Sequence, residues 1–307
     1  LIESKLQTHL FCVIAIVFFS TIEVVGKLIG TGISPYGITA WRFLIGGLLL
    51  LPLALKEKSI YAKQVSAKDY LKFTLAGILN VCISMLFLQL SIYYGKAVLS
   101  AVIVSTNTLF VALFAFFFLK ERITKLHIIG LGLGLLGLFF IIYGERVLLS
   151  QSRNLVWGVI FGLAAALTFA LYTVYSKQLV IRFGNFTTLS FTFIFGAILL
   201  FIYSVLSGRE VLFDPSLKNI LLILYLSMFV TGLAYLLYFS AMQILGAAKA
   251  SLYFFLKPAV AAILAWLLHR ETVNLMQLLG IVIIMLSLSR ETVVRFLHWN
   301  SLLRNSR

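Results

Sequence analysis

The sequence predicts an all-α integral membrane protein: ten transmembrane helices arranged as two inverted five-helix repeats. Three observations carry this. Of 307 residues, 62% are hydrophobic and only 11% charged, with a mean hydropathy of +1.07, more apolar surface than a water-soluble domain can bury. The apolar residues fall into ten runs near the roughly 20 residues that a helix needs to cross a bilayer. Finally, the chain repeats itself at an offset of 150 residues. Lys27 falls on Lys177, Phe43 on Phe193, Gly46 on Gly196, Ala97 on Ala247, Glu121 on Glu271 and Gly130 on Gly280.

The runs span 10–29, 36–55, 71–92, 97–119, 126–143, 156–176, 187–206, 219–239, 247–268 and 273–289. Residues 1–150 form the first repeat, 151–290 the second, and 291–307 a basic tail. The first run carries Glu23 and Lys27 and lacks a small-x-small cleavage site, so it reads as a retained span rather than a signal peptide. No break is long enough for a soluble domain; the longest is Lys56–Tyr70.

An even number of spans puts both ends on one side of the membrane. With the N terminus inside, the inner segments hold 15 Lys and Arg and the outer segments 7, which favours cytoplasmic termini and a multi-pass protein of the cell (inner) membrane. The same distribution argues against nucleic acid as the partner of a chain with net charge +15: the positive charge lies in loops beside the lipid bilayer. The tail Glu291–Arg307 mixes apolar residues and Trp299 with arginines, as an interfacial helix does. Trp157 and Trp266 read as anchors at the outer helix ends. Five spans per repeat is odd, so the second copy is inserted upside down. Two halves related in this way can exchange conformations around one central site, which implies alternating access.

Lys257 stands near the middle of the ninth run, followed at once by Pro258. A charge at that depth is stable only toward a protein interior, a water-filled cavity or a counter-charge. The proline removes a helical hydrogen bond, frees the Phe254 carbonyl and kinks the helix. A broken helix with a midplane cation suits a substrate site for an anionic group; the alternative is a lysine stem filling space and pairing with a neighbouring carboxylate. Lys249, Tyr253 and Lys257 lie four apart, on one face of a regular α-helix, although Lys249 is near enough to the helix end to snorkel. The repeat counterpart of Lys257 is Asn107, within Ser105-Thr106-Asn107-Thr108. These polar residues either line a shared cavity or join helices by hydrogen bonds.

On the first run, Glu23 and Lys27 are spaced i,i+4, and Arg42 of the second lies at the depth of Glu23. They form either an extracellular-side gate or a static buried pair. Glu23 is also the clear intramembrane carboxylate and the first candidate for proton coupling. Tyr172, Tyr175, Tyr235 and Tyr238 are candidates to line the cavity. Gly130, Gly132 and Gly134, with Gly137 nearby, permit close helix approach within the fold or across a homodimer. Cys12 and Cys82 read as small core residues.

His9, His127, His269 and His298 do not cluster, and there is no HExxH, GxSxG or P-loop. The sequence therefore gives no support to a metal site, a cofactor, ATP as a direct driver or an intramembrane enzyme.

The stretch Gly95-Lys-Ala-Val-Leu-Ser through Phe118-Leu-Lys-Glu-Arg122, then Gly130 and Gly137, resembles the fourth and fifth helices of EamA-type members of the drug/metabolite transporter superfamily. Gly246-Ala-Ala-Lys-Ala-Ser-Leu, Phe255-Leu-Lys-Pro258, His-Arg-Glu271 and Gly280 resemble the ninth and tenth. The resemblance covers residues 8–290. It implies ten helices, a central cavity between the halves, and the fifth and tenth helices at the periphery. The proline of the fourth helix is here Thr108, so Pro258 has no counterpart. The family moves amino acids, nucleotide sugars, sugar phosphates, quaternary amines and drugs, so the resemblance implies export of a small polar metabolite, amino acids foremost, without naming one. The coupling partner it leaves open is a proton or a counter-substrate. Quaternary amines or cationic drugs, with Glu23 as counter-charge, are the other substrate class.

Overall fold

The computed structural model describes residues 2–30, 32–60, 65–95, 97–145, 153–269, 275–276 and 278–287. Among them no strand occurs, as expected where lipid offers the backbone no hydrogen-bonding partner and a helix satisfies its own. Among the described residues, seven helices are long and apolar enough to cross a membrane. In chain order the elements are α1 (Ile2–Ile29), α2 (Pro35–Ile60), α3 (Ala67–Tyr94), α4 (Ala97–Ser105 and Asn107–Leu119), α5 (Lys125–Glu145), α6 (Arg153–Phe183), α7 (Asn185–Leu206) and α8 (Leu217–Leu245). Then come α9, in the segments Ala247–Ser251, Leu252–Phe255 and Leu256–His269, and the shorter α10 (Leu278–Ser287).

Several helices outrun their apolar cores. α6 continues beyond 176 through Lys177 and Arg182 to Phe183, and α8 continues to Leu245. Long basic side chains reach polar surroundings from the last turns without breaking the helix, so the connections shrink. A single left-handed glycine turns α6 into α7 (Gly184, φ 89°), and another turns α8 into α9 (Gly246, φ 90°).

The halves meet through contacts that exchange under the 150-residue offset. At Gly46, a Cβ would lie 3.1 Å from the Ser227 carbonyl and 2.9 Å from Thr231; at its counterpart Gly196, 2.6 Å from the Gly77 carbonyl and 2.7 Å from Val81. Ser227 and Thr231 stand 150 residues after Gly77 and Val81. The α5–α10 contact behaves likewise. Ser287 Oγ donates to the Gly130 carbonyl at 2.8 Å, while a Cβ on Gly137 would meet the Gly280 carbonyl at 2.8 Å. Gly130, Gly134 and Gly137 of α5 thus face other helices of the same chain, whereas Gly132 has nothing within 4 Å.

Two helices carry a π-helical stretch at matching places, Ile78–Met85 in α3 and Leu226–Leu233 in α8. Each adds a residue to the turn and rotates the face beyond it. In α9 the residues before Pro258 tighten into a 3₁₀ turn, Leu252–Phe255, because the proline ring clashes with the carbonyl four residues earlier. Glu271, Arg270, Trp299 and the tail 291–307 lie outside the described residues, as do the side chains of Trp266 and His269.

Candidate functional site

The centre of the bundle holds an ion pair. Lys257 Nζ donates to Glu23 Oε1, with the two side chains 2% and 0% exposed. This departs from the expected pairing of Glu23 with Arg42 or Lys27: the lysine of α9 reaches the carboxylate across the α1–α9 contact. Such a pair is costly to desolvate and persists where each charge offsets the other. It also answers how Lys257 is tolerated at depth.

Arg42 is wholly buried beside the pair, within electrostatic range of Glu23 and Tyr235. Its Cζ sits 4.7 Å from the centre of the Phe43 ring. Its Nε and Nη2 have no hydrogen-bond partner, and neither has Glu23 Oε2. Buried polar atoms left unpaired in this way mark a place for water or a ligand. Phe19, Ile22, Arg42, Met85, Phe169, Tyr235, Phe254 and Lys257 surround a cavity with room for little more than one water molecule. Its aromatic wall is closely set: Phe19 meets Tyr235 edge-on at 5.0 Å and stacks on Phe254 at 5.8 Å. Tyr235 also donates to Asn80 Oδ1 at 3.3 Å.

A wider cleft of about 180 Å³ lies one helical turn above, lined by Gly26, Lys27, Gly30, Ile38, Gln89 and Tyr93. Ile22 and Gly26, Arg42 and Ile38, and Met85 and Gln89 are each four residues apart, so α1, α2 and α3 wall both spaces. The amide Nε2 of buried Gln89 is unpartnered. Lys27 donates to the Gly95 carbonyl at 2.8 Å.

Other expected site residues are placed elsewhere. Tyr253 is not among the residues lining the cavity beside Lys257, although both reach α1. The intervening 3₁₀ turn has three residues per turn, and Tyr253 instead bonds its hydroxyl to His9 Nδ1. Asn107 is buried with Nδ2 unpartnered. Thr108 ties α4 to α9 by donating to the Ser251 carbonyl at 2.8 Å. Tyr172 is buried behind the cavity wall, against Phe169, Tyr235 and Phe239. The rings of Phe19, Phe169 and Phe254 were not singled out from the sequence, which marked only the backbone carbonyl of Phe254. Phe19 is four residues before Glu23 and Phe254 three before Lys257, a spacing that flags two of them.

The family model for EamA-like transporters matches residues 6–143 and again 156–289, which places one copy on each half. The chain belongs to the EamA-like transporter family. An uncharacterized transporter of Clostridium kluyveri is 35% identical over 282 residues, covering 91% of this chain and 90% of that one. The uncharacterized transporter YyaM of Bacillus subtilis is 24% identical, with 87% and 88% covered. A solved crystal structure superposes with a TM-score of 0.76 over 94% of this chain and 96% of its own; at 18% identity it speaks for the fold of this EamA-like chain alone.

Proposed function

We propose that this EamA-like chain is a secondary carrier that exports a small carboxylate-bearing metabolite, of the amino-acid type, by alternating access. The observation that carries the reading is the buried Glu23–Lys257 pair beside the unpartnered guanidinium nitrogens of Arg42. Two cations and one anion leave a surplus positive charge, which suits a carboxylate, and the open Glu23 oxygen suits an ammonium on the same solute. Arg42 is the better carboxylate partner, since its planar fork matches two oxygens. Glu23 is the group that would carry a proton if transport is proton-coupled.

With α5, α9 and α10 as spans, the crossings number ten. The contacts that exchange at an offset of 150 support two halves related by a two-fold axis in the membrane plane, and the distribution of Lys and Arg supports cytoplasmic termini. A central cavity too small for a solute suits a carrier caught between openings.

A second reading, a quaternary amine or cationic drug held by Glu23, draws on the aromatic rings of Phe19, Phe169, Tyr235 and Phe254. Thermal unfolding of purified protein with free amino acids, their amides and quaternary amines separates the two. At about 100 times its dissociation constant a ligand adds roughly 2.7 kcal/mol. Stabilisation by amino acids, lost when the carboxylate is amidated, is the expected result; stabilisation by quaternary amines alone would refute it.

A further inference from the structure

Glu121 stands apart from the central pair, at the end of α4 where α6 and α9 converge. Its Oε1 accepts Lys177 Nζ of α6 at 2.5 Å and the Ala247 N–H at 2.9 Å, and Oε2 accepts the Ala248 N–H at 3.1 Å. One carboxylate therefore ties three helices and caps the start of α9, where the helix dipole favours an anion. The backbone is shaped for this. Lys120, immediately before, has φ 54° and is the one non-glycine with positive φ among the described residues. Gly246 has φ 90°, and a Cβ there would lie 3.0 Å from Glu121 Oε2. Strain of that kind persists where surrounding contacts hold it.

We propose that Glu121 is a gate latch: its contacts with Lys177 and the start of α9 hold shut one mouth of the carrier, and they break when that mouth opens. The latch rests on the carrier reading given above. Three features fit it. First, the Lys177 and Glu121 side chains are 11% and 18% exposed, near enough to solvent to separate without stranding a charge in lipid. Second, α9 carries both the latched end at Ala247 and the central Lys257, with the 3₁₀ turn Leu252–Phe255 between them as a place to bend. Motion at the site is thereby transmitted to the latch along one helix. Third, the cleft at the opposite mouth contains Lys27, the repeat counterpart of Lys177. The open cleft and the closed latch thus occupy related positions in the two halves.

Cys12 provides a native reporter. It is wholly buried on α1, and Tyr238 lies within electrostatic range of both Cys12 and Glu121. In a Cys82→Ser background, the rate of Cys12 alkylation by N-ethylmaleimide is compared with and without Glu121→Gln in membrane vesicles. The latch requires that Glu121→Gln speed alkylation roughly 5- to 30-fold. An unchanged or slower rate, with a lowered melting temperature, would make the contact a static staple and overturn the proposal. Should Glu121→Gln fail to reach the membrane folded, Lys177→Gln carries the same comparison. Alkylation requires no transported solute, so a negative result here leaves the carrier reading to be judged by ligand stabilisation.

Discussion

The rings of Phe43 and Phe193 meet at a centroid distance of 4.9 Å and an interplanar angle of 74°, and each is the other's counterpart at the 150-residue offset. A residue touching its own counterpart lies where a two-fold axis would pass. Tyr235 packs edge-on against both rings, at 5.9 Å from Phe43 and 5.0 Å from Phe193, so this junction adjoins the central cavity. The seam between the halves and the candidate site therefore share Tyr235.

Removing one partner of the central pair is expected to destabilise the protein as well as stop transport. Lys257→Ala leaves the Glu23 carboxylate buried without its counter-charge, at a cost of about 3–5 kcal/mol. Glu23→Gln combined with Lys257→Met is expected to recover most of that stability without recovering transport. Thermal unfolding and uptake, measured on the single and double variants, check this. A Lys257→Ala protein that melts like the parent would mean that the pair contributes nothing.

Tyr253→Phe tests the displaced tyrosine. It removes the hydroxyl that bonds His9, and the expected loss is about 1 kcal/mol of stability. Because Tyr253 does not line the central cavity, KM should stay unchanged. A large rise in KM with normal stability would return Tyr253 to the substrate site.

The glycines of α5 are expected to divide sharply. Gly132→Ala meets open space and gains up to about 1 kcal/mol of helix propensity. Gly134→Ala would place a Cβ 2.2 Å from the Phe255 ring, an overpacking worth about 1–3 kcal/mol of destabilisation. Melting temperatures of the two variants should move in opposite directions.

Acid is expected to weaken the latch. Burial raises the Glu121 pKa, but the hydrogen bonds from Lys177, Ala247 and Ala248 outweigh it and hold the carboxylate below its ordinary value. The groups that face it are Lys177 from α6 and Tyr238 from α8, with Lys120 and Arg122 beside it in the chain. A lowered folded-state pKa means that the stabilisation is complete above the ordinary carboxylate range and is lost as pH falls through the lowered value. The melting temperature of the unaltered protein should fall more steeply in acid than that of Glu121→Gln. Parallel curves would assign the acid response to other groups.

Topology is open to direct measurement. A reporter inserted between α2 and α3 is expected inside the cell and one beside Asp214 outside. Finding both on one side would overturn the count of crossings.

Much of this was legible in the sequence because it lies in spacing. The 150-residue offset survives as contacts at Gly46 and Gly196, and the depth of Lys257 marked it for the centre, whereas Glu23 and Arg42 read as an extracellular-side gate or a static buried pair. Partner choice was not legible. Glu23 and Lys257 are 234 residues apart, and helix periodicity says which face a charge occupies, not which helix it meets. Phase was lost as well wherever the helix departs from 3.6 residues per turn. The 3₁₀ turn before Pro258 is one such place, and nothing in an even apolar pattern announces the π-helical stretches of α3 and α8. Glu121 and Lys177 were visible as repeat positions, but their meeting depends on how three helix ends converge.

The span between Glu23 and Lys257 also bears on biogenesis. At roughly 5–20 residues per second, Lys257 is synthesised on the order of 10–50 s after Glu23. Over that interval the first helix must be held in or near the insertion machinery with its carboxylate lacking the ammonium it finally meets. The closing of the core is thus deferred until the ninth helix arrives. A chain released early would carry an unpaired charge into lipid, a ready mark for quality-control proteolysis of unfinished copies.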